Sequence, residues 1–197
     1  MEYFISDLHF GHFNAIRFDD RPFETVAEMN EKLLENINTR LTKNDDLFIL
    51  GDVAMKEDIA LEYLKQMNCK KHLILGNHDS YKSIANSSLC DEIVTYKRFR
   101  VFDKRFHDEF GRDYIEVILS HYPFMNWDKQ MYGAIHLFGH IHTNDCFYFD
   151  ENGQRKVFPI QNMKNAYNVF CGYQDFIPMS LYELIKKYGY YPDAYRP

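Results

Sequence analysis

The chain has 197 residues, 46% of them hydrophobic and 17% aromatic, with a formal net charge of −6. That is enough apolar material for one sizeable core, and the length lies within single-domain range. No run of about 18 apolar residues occurs, which excludes a transmembrane helix, and the acidic balance disfavours a general nucleic-acid binder, which ordinarily presents a basic face.

In chain order, Glu2 to Ser6 reads as a first strand and Phe10 to Phe23 as a loop. Met1 leads almost directly into that strand, with no basic n-region or cleavage signal, so the expected location is cytoplasmic. Thr25 with Glu28 three residues on makes a capping box, and Val26, Met29, Leu33, Ile37 and Leu41 share one helical face behind it. Asp46 to Leu50 is a second strand, a helix follows at about Asp58 to Met67, and His72 to Leu75 is a third strand. This β-α-β-α-β opening predicts right-handed crossovers and a partly parallel sheet. Beyond a short helix near Tyr81 to Ala85 the pattern changes. Val94 to Phe102 and Tyr114 to Ser120 read as strands, with Asp108 to Asp113 as a turn. Ile135 to Phe138 is a further strand. Cys146 to Phe149 and Lys156 to Phe158 flank Asp150-Glu151-Asn152-Gly153, a good hairpin turn. Tyr167 to Cys171 is a strand, and Ser180 with Glu183 caps a last helix through Lys187. No linker, repeat or low-complexity segment interrupts this order, which predicts one domain over residues 1–197, with two sheets face to face and helices outside. The four cysteines, Cys69, Cys90, Cys146 and Cys171, form no dense framework and are expected to be reduced and mostly buried.

Five clusters of polar residues follow strand ends: Asp7-Leu8-His9, Gly51-Asp52, Gly76-Asn77-His78-Asp79, Ser120-His121 and Gly139-His140-Ile141-His142. Strand followed by ligand puts these side chains along one edge of a sheet, where α/β proteins build their sites. Asp7, His9, Asp52, Asn77, His121, His140 and His142 are enough for two metal ions that share a ligand, and two such ions about 3.5–4 Å apart clamp the attacking and leaving oxygens of phosphoryl transfer. A nitrogen-rich set without thiolates suits Mn, Fe, Co, Ni or Zn better than Mg or Ca, and Mn²⁺ is expected to support activity in vitro. His12, Arg17 and Arg21, near the first cluster, are candidate phosphate contacts. Phe124, Trp127 and Tyr132 are candidate cleft walls set against ordinary packing. His72, His107 and His136 lie outside the clusters, and His136 is read as packing.

Asp-x-His, Gly-Asp, Gly-Asn-His-Asp, a lone His after a strand and Gly-His-x-His, in that order over residues 3 to 142, resemble the calcineurin-like metallophosphoesterases. The segment Phe18-Asp19-Asp20-Arg21-Pro22-Phe23 is similar to a small, phage- and bacteria-associated branch of that family. The resemblance implies a four-layer α/β/β/α sandwich of two mixed sheets flanked by helices. It implies that Asp7, His9 and His142 hold one metal, that Asn77, His121 and His140 hold the other, and that Asp52 bridges. It further implies that His78 protonates the leaving oxygen or stabilises charge on the phosphoryl oxygens, while Asp79 orients His78 or another imidazole. The function expected is hydrolysis of a small phosphodiester or phosphomonoester through a dinuclear centre and metal-bound hydroxide. A catalytically silent scaffold of the same fold and a nuclease are the alternatives. No membrane partner is expected, a nucleic-acid polymer is disfavoured, and the natural substrate and oligomeric state stay open.

Overall fold

In the computed structural model, Phe4 and Ile5, adjacent on β1 (Glu2–Ile5), enter different cores. Strand side chains alternate between faces, and β2 (Asp46–Ile49) and β3 (Lys70–Ile74) repeat the split. Leu47, Ile49 and Leu73 join Ile5, whereas Phe48 and Ile74 join Phe4. A sheet apolar on both faces must be covered on both. The residues described are 1–143, 145–159 and 163–194.

The first sheet runs β1, β2, β3 and β4 (Glu92–Val94) in parallel, and β11 (Met179–Ser180) pairs antiparallel with β1. One face is covered by α2 (Val26–Arg40) and α3 (Glu57–Gln66), through Met29, Leu33, Ile37, Ala60 and Leu64. α4 (Tyr81–Ser87) adds Ile84. The second sheet has the order β10 (Ala166–Asn168), β7 (Ile135–Phe138), β6 (Tyr114–Ser120), β5 (Tyr96–Phe102). Only the β5–β6 pair is antiparallel, so both sheets are mixed. Val101, Ile115, Val117, Leu119, Ile135 and Leu137 meet Phe4, Phe48 and Ile74 between the sheets. Full burial of a side chain of this size contributes about 1.5–3 kcal/mol. α5 (Lys104–Phe110) and α6 (Leu181–Tyr188) add Phe106, Leu181, Leu184 and Ile185 to the same core. β8 (Asp145–Phe149) and β9 (Arg155–Pro159) form a separate hairpin around the expected turn.

Several expectations need correction. The strand expected over Val94 to Phe102 breaks at Thr95, and its halves, β4 and β5, lie in different sheets. The turn expected at Asp108 to Asp113 contains the end of α5, which Asp103 caps by accepting from the Arg105 amide and Gly111 ends in the left-handed region at φ 64°. The loop Phe10 to Phe23 contains the short helix α1 (Phe13–Phe18). The strand expected to reach Cys171 stops at Asn168, and a 3-10 turn takes over at Cys171–Gln174. At α2 the capping box is half formed: Thr25 accepts from the Glu28 amide, but the Glu28 carboxylate accepts from Glu24. At α6 the Ser180–Glu183 box is complete. On the outer face of the second sheet Ile118 and Phe138 are covered by Trp127, Ala134 and Met163, so the outer layer there is loop with one 3-10 turn at Gln130–Tyr132. Cys69 and Cys171 are buried and Cys90 half-buried, all as free thiols, and the Cys146 side chain lies outside the described residues. Among the described residues no helix is long and apolar enough to cross a membrane.

Candidate metal centre

The segments leaving β1 and β2 run side by side beyond the sheet. Asp7 N–H donates to the Gly51 carbonyl at 3.0 Å, His9 N–H to Asp52 at 3.1 Å and Phe10 N–H to Val53 at 2.9 Å. Asp7, His9, Asp52 and His140 all adopt left-handed backbone, with φ of 55°, 52°, 54° and 66°. Outside glycine such a conformation costs about 1–2 kcal/mol, and Asp and His are among the residues that tolerate it best. Four such residues on one edge mark a place where geometry is held against local preference. Gly51 and Gly139 make room for the side chains. A Cβ on Gly51 would stand 2.3 Å from His121 Nδ1, and one on Gly139 would stand 2.4 Å from Asp7 Oδ2.

All seven expected ligands converge on this edge, in two groups. Asp7, His9 and His142 present ligand atoms within 4.8 Å of one another, and so do Asp7, Asp52 and His121. His142 Nε2 is 3.3 Å from Asp7 Oδ1. Asp52 Oδ2 lies 3.9 Å from His9 Nε2 and 3.7 Å from His121 Nε2, between the two groups. Asn77 Oδ1 lies 3.1 Å from His121 Nε2. The His140 ring is 5.1 Å from that of His121, and the His140 backbone N–H donates to Asp7 Oδ2 at 3.0 Å. Asp7 is thus common to both groups, while Asp52 reaches towards both. His78 Nε2 is also 3.9 Å from Asp52 Oδ2, and the His78 N–H donates to Asp52 Oδ1 at 3.0 Å.

Behind these atoms stands a layer of supports. His121 Nδ1 lies 2.8 Å from the Leu50 carbonyl, which requires Nδ1–H and turns Nε2 towards Asp52 and Asn77. His142 Nδ1 bonds Asp19 Oδ1 at 2.7 Å, and Phe170 stacks on its ring at 4.4 Å. Asp19 is held in turn by Arg21, whose Nε and Nη2 donate to Oδ2 at 3.1 and 3.0 Å. Arg21 also donates to the carbonyls of Leu8 and Asp7 at 2.9 and 3.0 Å. Its side chain has no exposed surface, so the reading of Arg21 as a phosphate contact at the rim is corrected: it braces the first motif from within. Asp79 is corrected likewise. Among the described residues its carboxylate takes no imidazole but accepts from the amides of Asp52, Val53 and Gly76 at 2.8, 3.0 and 2.8 Å. It therefore fixes the backbone that carries Asp52.

The electrostatics fit a cation. Burial pushes the Asp52 carboxyl above its usual range, as expected for an anion with too little compensating charge. Burial also lowers His9, to about 3, so its imidazole is neutral and free to donate a lone pair. Burial opposes the charge on His142 too, but Asp19 and Asp7 overcome it and raise the group to about 9. Buried Asp7 is held below the usual carboxylate range by His142. Among the described residues His9 Nδ1 is buried without a hydrogen-bond partner, and buried Asp7 Oδ1 has the 3.3 Å ion-pair approach of His142 Nε2 but no hydrogen bond of good geometry. Buried polar atoms are otherwise almost always satisfied, and carboxylate and imidazole are the donors a borderline divalent ion takes.

Of the remaining expectations, His12 stands at the N-cap position of α1 without a capping bond from its side chain, with its ring 5.6 Å from His9, so it reaches the site, and its Nδ1 is also buried without a partner. Arg17 is exposed on α1 and is not brought to the ligands. Phe124 stacks on His136 at 4.9 Å and Trp127 is buried against Ile118, so both pack rather than wall a cleft. His136 is a packing residue as read: Nδ1 lies 3.1 Å from the Ile118 carbonyl and Nε2 accepts from the Phe124 amide at 3.0 Å. The cleft beside the ligands lies elsewhere. It measures about 650 Å³ and is lined by Pro123, His140, Ile141, Phe147, Arg155 and Val157, so the β8–β9 hairpin forms one side. Sequence reasoning missed Asp19 and Phe170, and it foresaw the hairpin but not its place beside the site. For Asp19 the signal was a pair of acids beside an arginine in an otherwise aromatic segment.

The sequence model of the calcineurin-like phosphoesterases matches residues 3–187. The chain belongs to this family. It is 30% identical over 188 residues to an uncharacterized protein of Methanocaldococcus jannaschii, MJ1445, covering 93% of this chain and 89% of that one. It is 29% identical over 164 residues to the Gene 66 protein of Mycobacterium phage L5, covering 72% of this chain and 77% of the phage protein. A crystal structure of AQ665 from Aquifex aeolicus, a protein of unknown function, matches with a TM-score of 0.64 at 24% identity over 95% of this chain and 98% of that one. That last likeness establishes the shared fold.

Proposed function

We propose that this phosphoesterase hydrolyses a small phosphodiester or phosphomonoester at a dinuclear divalent metal centre. Asp7, His9 and His142 hold one ion, Asn77, His121 and His140 the other, and Asp52 contacts both. The observation that carries the reading is the position of Asp52 Oδ2, within 3.9 Å of both His9 Nε2 and His121 Nε2, beside buried acceptors that lack a hydrogen bond of good geometry. When bound, divalent ions supply charge for the phosphoryl oxygens and acidify water.

The chain's own residues supply the rest. Asp79 fixes the Asp52 backbone, and Asp19 sets the orientation of His142. His78 is exposed enough to meet substrate and stands beside Asp52, where an imidazole protonates a leaving oxygen. The cleft beside His140 is bounded by the apolar side chains of Ile141, Phe147 and Val157 and by the cation of Arg155. It suits the organic group of a small ester better than the surface of a folded protein.

The test is a panel of esters with Mn²⁺-loaded protein. The expected result is turnover of bis-p-nitrophenyl phosphate with kcat/KM above that for a phosphopeptide. His78→Ala is expected to keep its metal content and lower kcat by roughly 10²–10⁴-fold. Loss of metal from His78→Ala would reassign His78 as a ligand. Absence of turnover on every ester under Mn²⁺, Fe²⁺, Co²⁺, Ni²⁺ and Zn²⁺ would overturn the hydrolase.

A further inference from the structure

The outer face of the second sheet concentrates positive charge that the metal centre does not use. β5 places Tyr96, Arg98, Arg100 and Phe102 on that side and Phe99 and Val101 on the other. Arg98 and Arg100 share Glu116 of β6: Arg98 donates from Nε and Nη2, each at 3.1 Å, and Arg100 from Nε at 3.3 Å. Arg98 also pairs with Asp128. Arg112, before β6, and Lys129, at the start of the 3-10 turn, complete a cavity of about 310 Å³ that Tyr114 and Tyr132 also line. In a chain of net charge −6, four cations gather here against two carboxylates.

Stability does not account for the cluster. Exposed ion pairs contribute about 0–1 kcal/mol, and neither Arg112 nor Lys129 has a carboxylate partner among the described residues. Arg112 donates to the Tyr132 carbonyl at 3.3 Å and lies 5.9 Å from the Tyr190 ring, and the Lys129 ammonium stands 5.1 Å from the Tyr132 ring. Glu116 holds two guanidiniums in fixed positions, which reduces the ordering cost of binding an anion there. Guanidinium forks match phosphate oxygens. Arg100 already lies 4.3 Å from the Tyr114 ring, and Tyr132 is 62% exposed, which leaves ring surface beside the Lys129 ammonium for stacking by a flat base. A cavity of this size is at the small end of ligand sites, which run from about 300 Å³. On β6, Glu116 precedes His121 by five residues, roughly 16 Å of strand, so the cavity is separate from the ligand edge.

We propose that the Arg98–Arg100–Arg112–Lys129 cavity binds the phosphates of a nucleotide, free or within a single strand of nucleic acid, with a base against Tyr114 or Tyr132. The experiment uses the full chain in EDTA, which removes phosphate binding by metal, with a short fluorescent single-stranded oligonucleotide, a nucleoside triphosphate and pyrophosphate as probes. Arg112→Gln combined with Lys129→Gln breaks no ion pair, so folding is expected to hold. The double variant is expected to raise the Kd for the oligonucleotide or the triphosphate at least tenfold. For the oligonucleotide it should also flatten the log–log salt slope by about 1.4, the loss of two phosphate contacts. Arg17→Gln, which removes an exposed arginine elsewhere, should change Kd less than twofold. Tyr132→Ala should weaken the base-bearing probes and spare pyrophosphate. Binding of the triphosphate as tightly as the strand assigns free nucleotide; binding of the strand alone assigns nucleic acid. Unchanged Kd in the double variant, equal competition by polyglutamate, or no binding of any probe at about 50 mM salt overturns the proposal.

Discussion

The ligand edge and the outer face of the second sheet both gather charge, yet they hold it differently. At the edge Asp7, Asp52, Asp19 and Arg21 are almost wholly buried, and each charged atom is either bonded to a fixed partner or left for a cation. On the outer face Arg98, Arg100, Lys129 and Arg112 remain open to water beside Glu116 and Asp128. Charge buried among fixed partners is costly to disturb, whereas solvent-screened charge is nearly neutral for stability and available to ligands. The same residue type, arginine, is a brace in one region and a binding group in the other.

The sharpest contrast is Arg21→Met. Removing one partner of a buried ion pair costs about 3–5 kcal/mol. At this length that lowers Tm by roughly 2–4 °C per kcal/mol. Calorimetry should find a fall of about 6 °C or more, and a fall under 2 °C would show that Arg21 is not a brace. Next is Asp52→Asn, which leaves shape intact and removes charge between the two ligand groups. Mn²⁺ affinity should drop by more than the 10–100-fold typical of a supporting residue, and by more than in Asn77→Ala. Equal losses in a Mn²⁺ titration would remove Asp52 from its shared position.

How far these differences could be read from sequence depends on range. The helices facing the first sheet show themselves through Met29, Leu33 and Ile37, because a 3.6-residue period is local. The five motifs marked the edge because each ligand follows its own strand. The break at Thr95 was hidden, since only packing decides that a continuous run of strand-forming residues divides between two sheets. The bond between His142 and Asp19 joins residues 123 apart, and no periodicity announces it. α5 had a signal that went unused: Asp103 before it and Gly111 after it are ordinary helix boundaries. On the outer face the alternation of Arg98 and Arg100 with inward Phe99 was legible, but Arg112 and Lys129 arrive from separate segments.

A smaller effect is expected from His136, a buried imidazole outside the ligand set. Burial lowers it to about 4, against about 6.5 when unfolded. Between those values the unfolded chain binds the extra proton, so stability is full above about pH 6.5 and is lost as pH falls towards 4. The contribution is on the order of 3 kcal/mol, and His136→Gln should flatten the fall of Tm with acid. An identical pH profile in the variant would contradict this. The smallest effect belongs to the outer face. Glu116→Gln breaks the exposed pairs with Arg98 and Arg100 and should cost less than about 1 kcal/mol. A much larger loss in a denaturation titration would mean that the outer face is structural, like the edge.

The central claim is the shared metal centre, and anomalous scattering from Mn²⁺-soaked crystals tests it most directly. The account predicts two manganese peaks per chain, one among Asp7, His9 and His142 and one among Asn77, His121 and His140, with Asp52 oxygens within about 2.6 Å of both. A single peak, or two peaks with Asp52 bound to only one, would contradict it.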